Sequence, residues 1–335
     1  MTASADALPG GGAWLEPTAA GAVRRTVTLQ VAPRGSWERG SVLSASVRDL
    51  RRRPGPAREL ATAYDGVVCE LDPSGVVEGC PGEPELEDLL VGLPAQRGLR
   101  KALAAERSRH DAPPGRRRAV GAVGDRRDAI LDDVPGFLVA SGYGRLYEGV
   151  VAGPQGRLRG PVRTVCVGFH QLAEHDEEFS TRRFLDRARA EEFVDADDPL
   201  VWHREEPLPP GAVRRRRLVE VAREPSGAVA FDGYFRDTFR RPNGSDLIIH
   251  EYGVSARLAG DPLVVERVEA RPGDLPMEYC PLATAGLSRL AGSEVAAIDG
   301  SVRTELRGVH ACTHLNDELR SLRMVPFLLA AAGTP

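Results

Sequence analysis

One short sequence, GAVRR, occurs twice in the chain, at residues 21–25 and again at residues 211–215, 190 positions later. Each copy is followed by a β-type stretch, a turn that contains glycine, and a second β-type stretch that carries an Arg-Asp pair. A Cys-Pro pair follows in both cases, at Cys80 and at Cys280. Because these matches keep the same order along the chain, they indicate an internal duplication, which limits the possible folds more than any single motif does.

The order of patterns within each copy predicts the fold class. About four strand-like stretches come first and helix-like patterns follow them, which is typical of an α+β domain with an antiparallel sheet followed by helices. Two tandem related domains in one chain most simply pack as a pseudo-dimer. The predicted division has four parts: a flexible N-terminus (1–20), a first, degenerate α+β repeat (21–142), a connector (143–210), and a second α+β repeat that carries the candidate site (211–333).

The composition argues against several classes of partner. The formal net charge of −4 is small for 335 residues, so no electrostatic argument favours nucleic acid. No stretch approaches the roughly 20 apolar residues that cross a bilayer, and the N-terminus lacks a signal-peptide pattern. The five cysteines are odd in number and widely spaced, which predicts reduced thiols. We therefore expect a cytoplasmic protein that binds neither nucleic acid nor a membrane, and the sequence leaves its oligomeric state open.

The second repeat holds two cysteines and two histidines that are candidates for chemistry: His250, Cys280, Cys312 and His314. The first repeat keeps the Cys-Pro pair, but it reads GAVG at 121–124, where the last two candidates should fall, and Ala63 stands near the position of His250. The two histidines and Cys312 are therefore specific to the second repeat. This is the pattern expected of one active half and one degenerate half, and random drift produces it equally well.

The start of a C-terminal helix decides whether Cys312 and His314 can act together. Cys312, Leu315 and Leu319 follow the spacing of one buried helix face, so Cys312 is equally explained as a core residue. Thr313 is a good N-cap, and a helix that begins there leaves Cys312 outside. Both side chains can then converge, and the helix N-terminus favours a thiolate.

Two cysteines and two histidines suffice for a tetrahedral Zn²⁺ site, and three of them with a water would make a catalytic Zn²⁺ or Fe²⁺ site. The predicted metal ligands are His250, Cys280, Cys312 and His314, and the predicted catalytic residues are His314, His250 and Cys312. Phosphate-loop, dinucleotide-binding and Gly-X-Ser-X-Gly motifs are absent, so no nucleotide cofactor is expected. The leading hypothesis is an enzyme that transforms a small organic molecule, of lyase or hydrolase type, with an aromatic or terpenoid-like substrate. The alternatives are a non-catalytic metal carrier or scaffold, and a metal-free module that binds a small ligand.

The second repeat resembles a bacterial family of domains of unknown function, family 2889. The residues that carry the resemblance are Arg214-Arg215, Ile249-His250-Glu251, Tyr279-Cys280-Pro281, and Gly308 followed by Cys312-Thr313-His314-Leu315. The resemblance covers about the last third of the chain, and it implies domain limits and candidate positions but no activity. A fainter similarity to the NifU-type iron–sulfur scaffold would imply metal binding by Cys280 and Cys312, with Glu251 or His250 nearby.

Overall fold

The computed structural model describes residues 21–52, 60–108, 121–147, 166–175 and 201–333. The predicted flexible segment 1–20 and most of the predicted connector 143–210 lie outside these residues. The described part contains one eight-stranded antiparallel sheet and seven α-helices, which is the α+β class that the sequence predicts.

The strands are β1 (Val23–Arg34), β2 (Ser36–Arg52), β3 (Leu60–Leu71), β4 (Val77–Gly79), β5 (Val213–Arg223), β6 (Val229–Arg240), β7 (Asp246–Ala259) and β8 (Val264–Pro272). Their order across the sheet is β4-β3-β2-β1-β5-β6-β7-β8. Each set of four strands therefore runs outward from the centre in the order of the chain.

The two GAVRR copies lead into the two strands that meet at the centre of the sheet. Strand β1 begins at Val23 and strand β5 at Val213, and the two strands are antiparallel neighbours. In this pairing Val27 lies opposite Arg217, which stands 190 positions later in the chain. The separation falls from 198 at Val23–Val221 to 182 at Val31–Val213, so the middle pair of this register is the one that has the repeat offset.

The helices are α1 (Pro84–Leu90), α2 (Leu99–Arg107), α3 (Arg126–Tyr147), α4 (Val167–Glu174), α5 (Ile298–Glu305), α6 (Thr313–Arg320) and α7 (Val325–Gly333). A 3-10 segment, Cys280–Leu290, follows β8. Helix α3 contacts strands of both halves, and it continues past residue 142, where the sequence analysis ends the first repeat. No helix in the described part of the chain is long and apolar enough to cross a membrane.

The helices cover one face of the sheet, which we call the inner face. Alternate residues of β1, such as Val27, Leu29 and Val31, point to this face and pack with apolar residues of α3. Strands β6 and β7 pack in the same way against the 3-10 segment and the C-terminal helices. The inner face also carries arginines, including Arg25 and Arg215, whose side chains are fully buried. Buried guanidinium groups need carboxylate partners, and these partners lead to the candidate site.

Candidate functional site

Both predicted histidines lie on the inner face and touch each other. The rings of His250 and His314 are stacked with a centroid distance of 3.6 Å and an interplanar angle of 22°. A carboxylate, Asp237, joins them, so that one ligand atom of each residue lies within 4.8 Å of the other two. Three separate elements, β6, β7 and α6, supply these three residues, and all three are buried. We call this set the Asp237–His250–His314 cluster.

A bulge in strand β7 aims His250 at the inner face. His250 pairs with Asp237, but Ile248 pairs with Thr238, so Ile249 is an extra residue in β7. The extra residue shifts the alternation of side chains, because Ile249 and His250 then both contribute to the inner face. The corresponding strands of the first half pair without an interruption at the matching point, where Asp49 lies opposite Ala63.

Asp237 is held by an arginine on the neighbouring strand. The Nε and Nη2 atoms of Arg215 donate to the two carboxylate oxygens at 2.6 and 2.8 Å. Burial alone would raise the pKa of Asp237, but the Arg215 guanidinium outweighs burial and holds the pKa well below its ordinary value. Asp237 is therefore ionised throughout the usual pH range.

The Asp237 carboxylate also orients His250. Nδ1 of His250 lies 3.3 Å from Oδ2 of Asp237, which favours the tautomer with a proton on Nδ1 and a free lone pair on Nε2. Burial lowers the pKa of His250, although Asp237 acts in the opposite direction. A neutral imidazole with a carboxylate behind it is the common form of a metal-binding or proton-accepting histidine.

His314 presents a ring nitrogen without a partner. Its Nδ1 lies 3.5 Å from Oγ1 of Thr313, whereas its Nε2 is buried and has no hydrogen-bond partner within the described residues. Burial and the neighbouring His250 both lower the pKa of His314 well below its ordinary value. A buried nitrogen without a partner is costly, and it suggests a missing ligand or water.

The helix that carries His314 begins one residue earlier than the sequence suggests. Cys312, not Thr313, is the N-cap of α6, with φ −124° and ψ 124°. Cys312 still lies outside the regular helix, as the convergence argument requires. A helix N-terminus favours a thiolate, but the thiol of Cys312 stays protonated because burial raises its pKa to about 11. The N–H groups of His314 and Leu315 act against this shift and do not cancel it.

The two cysteines lie near the histidines but do not belong to the cluster. Within the described residues, the one set of three potential ligand atoms that lie within 4.8 Å of one another is Asp237, His250 and His314. Cys280 begins the 3-10 segment, and its carbonyl oxygen lies 3.4 Å from the hydroxyl of Tyr252. Cys280 and Cys312 are both buried, and neither forms a disulfide. The geometry thus groups the predicted histidines with a carboxylate rather than with the predicted cysteines.

Sequence reasoning missed Asp237, although a signal for it was present. The Arg-Asp pair recurs in both repeats, as Arg48-Asp49 and Arg236-Asp237. In the first half Arg25 donates to both oxygens of Asp49 at 2.6 and 2.8 Å, which repeats the Arg215–Asp237 geometry. The arginine–aspartate fork is therefore common to both halves, and the histidines are additions to the second.

Helix α3 brings residues of the first half to the cluster. Asp133 accepts from Nη1 of Arg215 and from Nε and Nη2 of Arg217 at 2.8–2.9 Å. The ring of Tyr143 meets the His250 ring edge-on, with a centroid distance of 5.8 Å and an angle of 74°. Arg217 also contacts Glu318, one turn after His314 in α6. A polar network thus fixes the strand and helix that carry the cluster.

The comparisons with known proteins bear on the second half of the chain. A search of curated proteins finds no match. No finding supports the similarity to the NifU-type scaffold. The family model described as "Protein of unknown function (DUF2889)" matches residues 213–327, a range that contains β5 to β8 and the whole Asp237–His250–His314 cluster. The resemblance noted in the sequence is thereby confirmed: residues 213–327, about the last third of the chain, match this family model.

Proposed function

We propose that the Asp237–His250–His314 cluster holds a divalent transition metal, Zn²⁺ or Fe²⁺, and that the protein is an enzyme for a small organic molecule. The observation that carries the proposal is the convergence of one ligand atom from each of three residues within 4.8 Å, in a cluster where Nε2 of His314 is buried and has no hydrogen-bond partner among the described residues. Two histidines and one carboxylate are a ligand set of catalytic zinc sites and of non-haem iron oxygenases. In both classes a position stays open for water or substrate.

The size of the cluster fits an ion after small side-chain rotations. Ligand atoms about 2.0–2.1 Å from a tetrahedral ion are roughly 3.3–3.5 Å apart, which is less than the 4.8 Å limit that the cluster satisfies. Imidazole lone pairs lie in the ring plane, so the nearly parallel rings of His250 and His314 must tilt apart to point at one ion. Loading with metal is thus expected to open the stack.

Arg215 sets the strength of the carboxylate ligand. It occupies one lone pair on each oxygen of Asp237; Oδ2 also faces Nδ1 of His250, so Oδ1 is the oxygen that retains a lone pair for an ion. Arg215 also forms an ion pair with Asp133. Its positive charge is therefore balanced by two carboxylates, those of Asp237 and Asp133, which makes the surroundings of the cluster less positive than the Arg215–Asp237 pair alone would. When bound, the metal supplies a Lewis acid that polarises a carbonyl or lowers the pKa of water. The chain's own contribution is to orient the ligands and to exclude bulk water.

The surroundings of the cluster support an apolar substrate. Tyr143 lies beside the ring of His250 and Phe235 beside Arg215, and Tyr252 packs on Phe235; Phe235 and Tyr252 are buried and Tyr143 is partly buried. This environment is the basis for an aromatic or terpenoid-like substrate and for lyase or hydrolase chemistry. Five cysteines, none of them in a disulfide, support the cytoplasm as the location.

The cluster lies in the second of two related halves that pack as a pseudo-dimer, and this tandem arrangement is part of the proposal. Two features support it: the 190-residue offset at the middle pair of the β1–β5 register, and the repeated arginine–aspartate fork. In this arrangement the first half supplies Asp133 and Tyr143 from α3 and holds no histidine opposite Asp49. Its role is to support the site of the second half.

Elemental analysis of protein purified without a metal-chelating tag tests the metal proposal. We expect about one Zn or Fe per chain in the wild type and in His310→Ala, an exposed histidine that serves as the matched control. His250→Ala and His314→Ala should lose the metal while circular dichroism reports an unchanged fold. Cys312→Ser should keep it, because Cys312 lies outside the cluster. Metal that depends on Cys312 but not on His314 would refute the proposed ligand set.

A metal-free acid–base site is the second candidate. The 3.3 Å contact between His250 and Asp237 favours it, because the same carboxylate–imidazole pair acts as a general base without any metal. A screen of aromatic and terpenoid compounds by melting-temperature shift, with and without a chelator, separates the two candidates. Binding that survives the chelator supports the metal-free site. The burial of all three ligands argues against a carrier, which must release its ion readily.

A further inference from the structure

Two cysteines of the first half, remote in sequence from the proposed metal ligands, form a thiol pair. Cys69 lies on β3, and Cys80 directly follows the short edge strand β4. Both are free and almost completely buried. Both side chains belong to the same apolar core cluster, and each thiol shifts the pKa of the other.

The strand register places the two cysteines opposite each other. Glu70 of β3 pairs with Gly79 of β4, so one further step in each direction sets Cys69 opposite Cys80. Residues that face each other in antiparallel strands have Cα atoms about 4.5 or 5.5 Å apart. Disulfides accept Cα distances of about 4.4–6.8 Å. Cys80 lies one residue past the end of β4, and a register continued to it gives the backbone the spacing that a bond between these sulfurs needs.

We infer that Cys69 and Cys80 are a reversible disulfide site, which a two-electron oxidant such as hydrogen peroxide closes and a dithiol reductant opens. The site rests on the edge of the first half and is independent of the proposed metal centre. Closed, the bond would join β3 to the start of the segment that leads into α1, and it would fix the outer edge of the sheet.

The two sulfurs have different parts in the reaction. The interaction between the two thiols lowers the pKa of Cys80 and raises that of Cys69, so Cys80 ionises first. The Cys80 thiolate attacks one oxygen of hydrogen peroxide, the O–O bond breaks, and a sulfenic acid and hydroxide form. The Cys69 sulfur, losing its proton, then attacks the sulfenic sulfur and displaces a second hydroxide. Overall two thiols and one peroxide give one disulfide and two waters.

Access to the buried thiols comes from the edge of the sheet. Strand β4 has three residues, two residue pairs with β3, and hydrogen bonds between Val77 and both Gly92 and Leu93 on its other side, so a local opening there breaks few backbone hydrogen bonds. The second half lacks this arrangement. At the position that matches Cys69 stands Ala256, which pairs with Val268 of β8, and Cys280 lies beyond the strands.

Peptide mapping of the full-length protein tests the inference. Reduced protein is treated with hydrogen peroxide, unfolded, alkylated and digested. The number of free thiols should fall from five to three, with a mass decrease of about 2 Da and a cross-linked peptide that joins Cys69 to Cys80. Dithiothreitol should restore five thiols, and the oxidised protein should melt roughly 2–5 °C higher.

Serine variants identify which sulfurs form the bond, and the test does not require every variant to fold. Cys69→Ser and Cys80→Ser should each abolish the cross-link, and Cys166→Ser, the half-buried control, should leave it unchanged. If a serine variant fails to fold, the wild-type map decides alone. Five remaining thiols, a bond between other cysteines, or sulfinic acid on Cys80 without a cross-link would overturn the inference.

Discussion

Glu318 gives the sharpest test of the electrostatics around helix α6, because the same helix carries His314. Glu318 is completely buried and contacts Arg217, yet its pKa is raised to about 7. Burial is the main cause and outweighs the ion pair, since Arg217 also serves Asp133 and Oε1 of Glu318 has no partner among the described residues. The carboxyl therefore takes up a proton in the folded protein at a pH at which it stays ionised in the unfolded chain.

The sign and size of the effect follow from the pKa difference. A pKa raised from the ordinary 4.5 to about 7 stabilises the fold fully below pH 4.5, and this contribution is lost as pH rises through 7. The difference corresponds to about 3 kcal/mol, at 1.36 kcal/mol per pKa unit. Glu318→Gln removes the titration. We expect the free energy of unfolding of the wild type, relative to this variant, to fall by about 3 kcal/mol between pH 4.5 and pH 8.

Urea denaturation at several pH values between 4.5 and 8 measures this difference. The exposed Glu305 provides the matched control, and Glu305→Gln should reproduce the wild-type pH profile. Subtracting the variant curve from the wild-type curve isolates Glu318 from the other buried carboxylates. A difference that is flat, or that grows in favour of the wild type as pH rises, would refute the argument that burial outweighs Arg217.

Three further predictions concern packing and pH. His203 donates to or accepts from Thr26 and Ser46, and burial lowers its pKa to about 4. Its stabilising contribution is therefore present above pH 6.5 and lost as pH falls through 4, and NMR titration of the ring should give a midpoint near 4. Leu319→Ala should cost about 2–5 kcal/mol in urea denaturation, because Leu319 is fully buried, whereas Leu282→Ala, at a half-exposed site, should cost less than about 0.5 kcal/mol. Gly168→Ala should lower the stability of the fold, because the added Cβ would lie 2.6 Å from Cε of Met277 and 3.0 Å from Sγ of Cys280. Gly142 in α3 has open space around it, so Gly142→Ala should stabilise this helix by up to about 1 kcal/mol. Equal melting temperatures for the two glycine variants would contradict the packing of α4 on the 3-10 segment.

The sequence predicts the fold class well because the strands are long and their apolar residues alternate. In β1 the alternate residues Val27, Leu29 and Val31 all reach the core. The start of helix α6 is predicted to within one residue, since both Cys312 and Thr313 precede a regular apolar spacing. Both properties depend on the local sequence pattern, so they can be predicted without the tertiary structure.

The composition of the cluster could not be predicted in the same way. Strict alternation along β7 from Leu247 assigns His250 to the outer face, and the bulge at Ile249 reverses this assignment. Asp237 of β6 contacts His250 of the neighbouring strand β7, and no local sequence pattern identifies these two residues as a pair. The sequence favours the cysteines because thiols are common metal ligands. Burial keeps the thiol of Cys312 protonated, however, and the Asp237 carboxylate lies nearer to both histidine rings. Register and burial, which are tertiary properties, decide these points.

Anomalous diffraction from crystals of the metal-loaded protein tests directly whether the Asp237–His250–His314 cluster holds the metal ion. Data collected on both sides of the Zn or Fe absorption edge locate the ion without any assumption about activity. We expect one strong peak between Asp237, His250 and His314, with the two imidazole rings tilted away from their 3.6 Å stack. A peak at Cys280 and Cys312, or full-occupancy density for the stacked histidines with no anomalous peak, would contradict it.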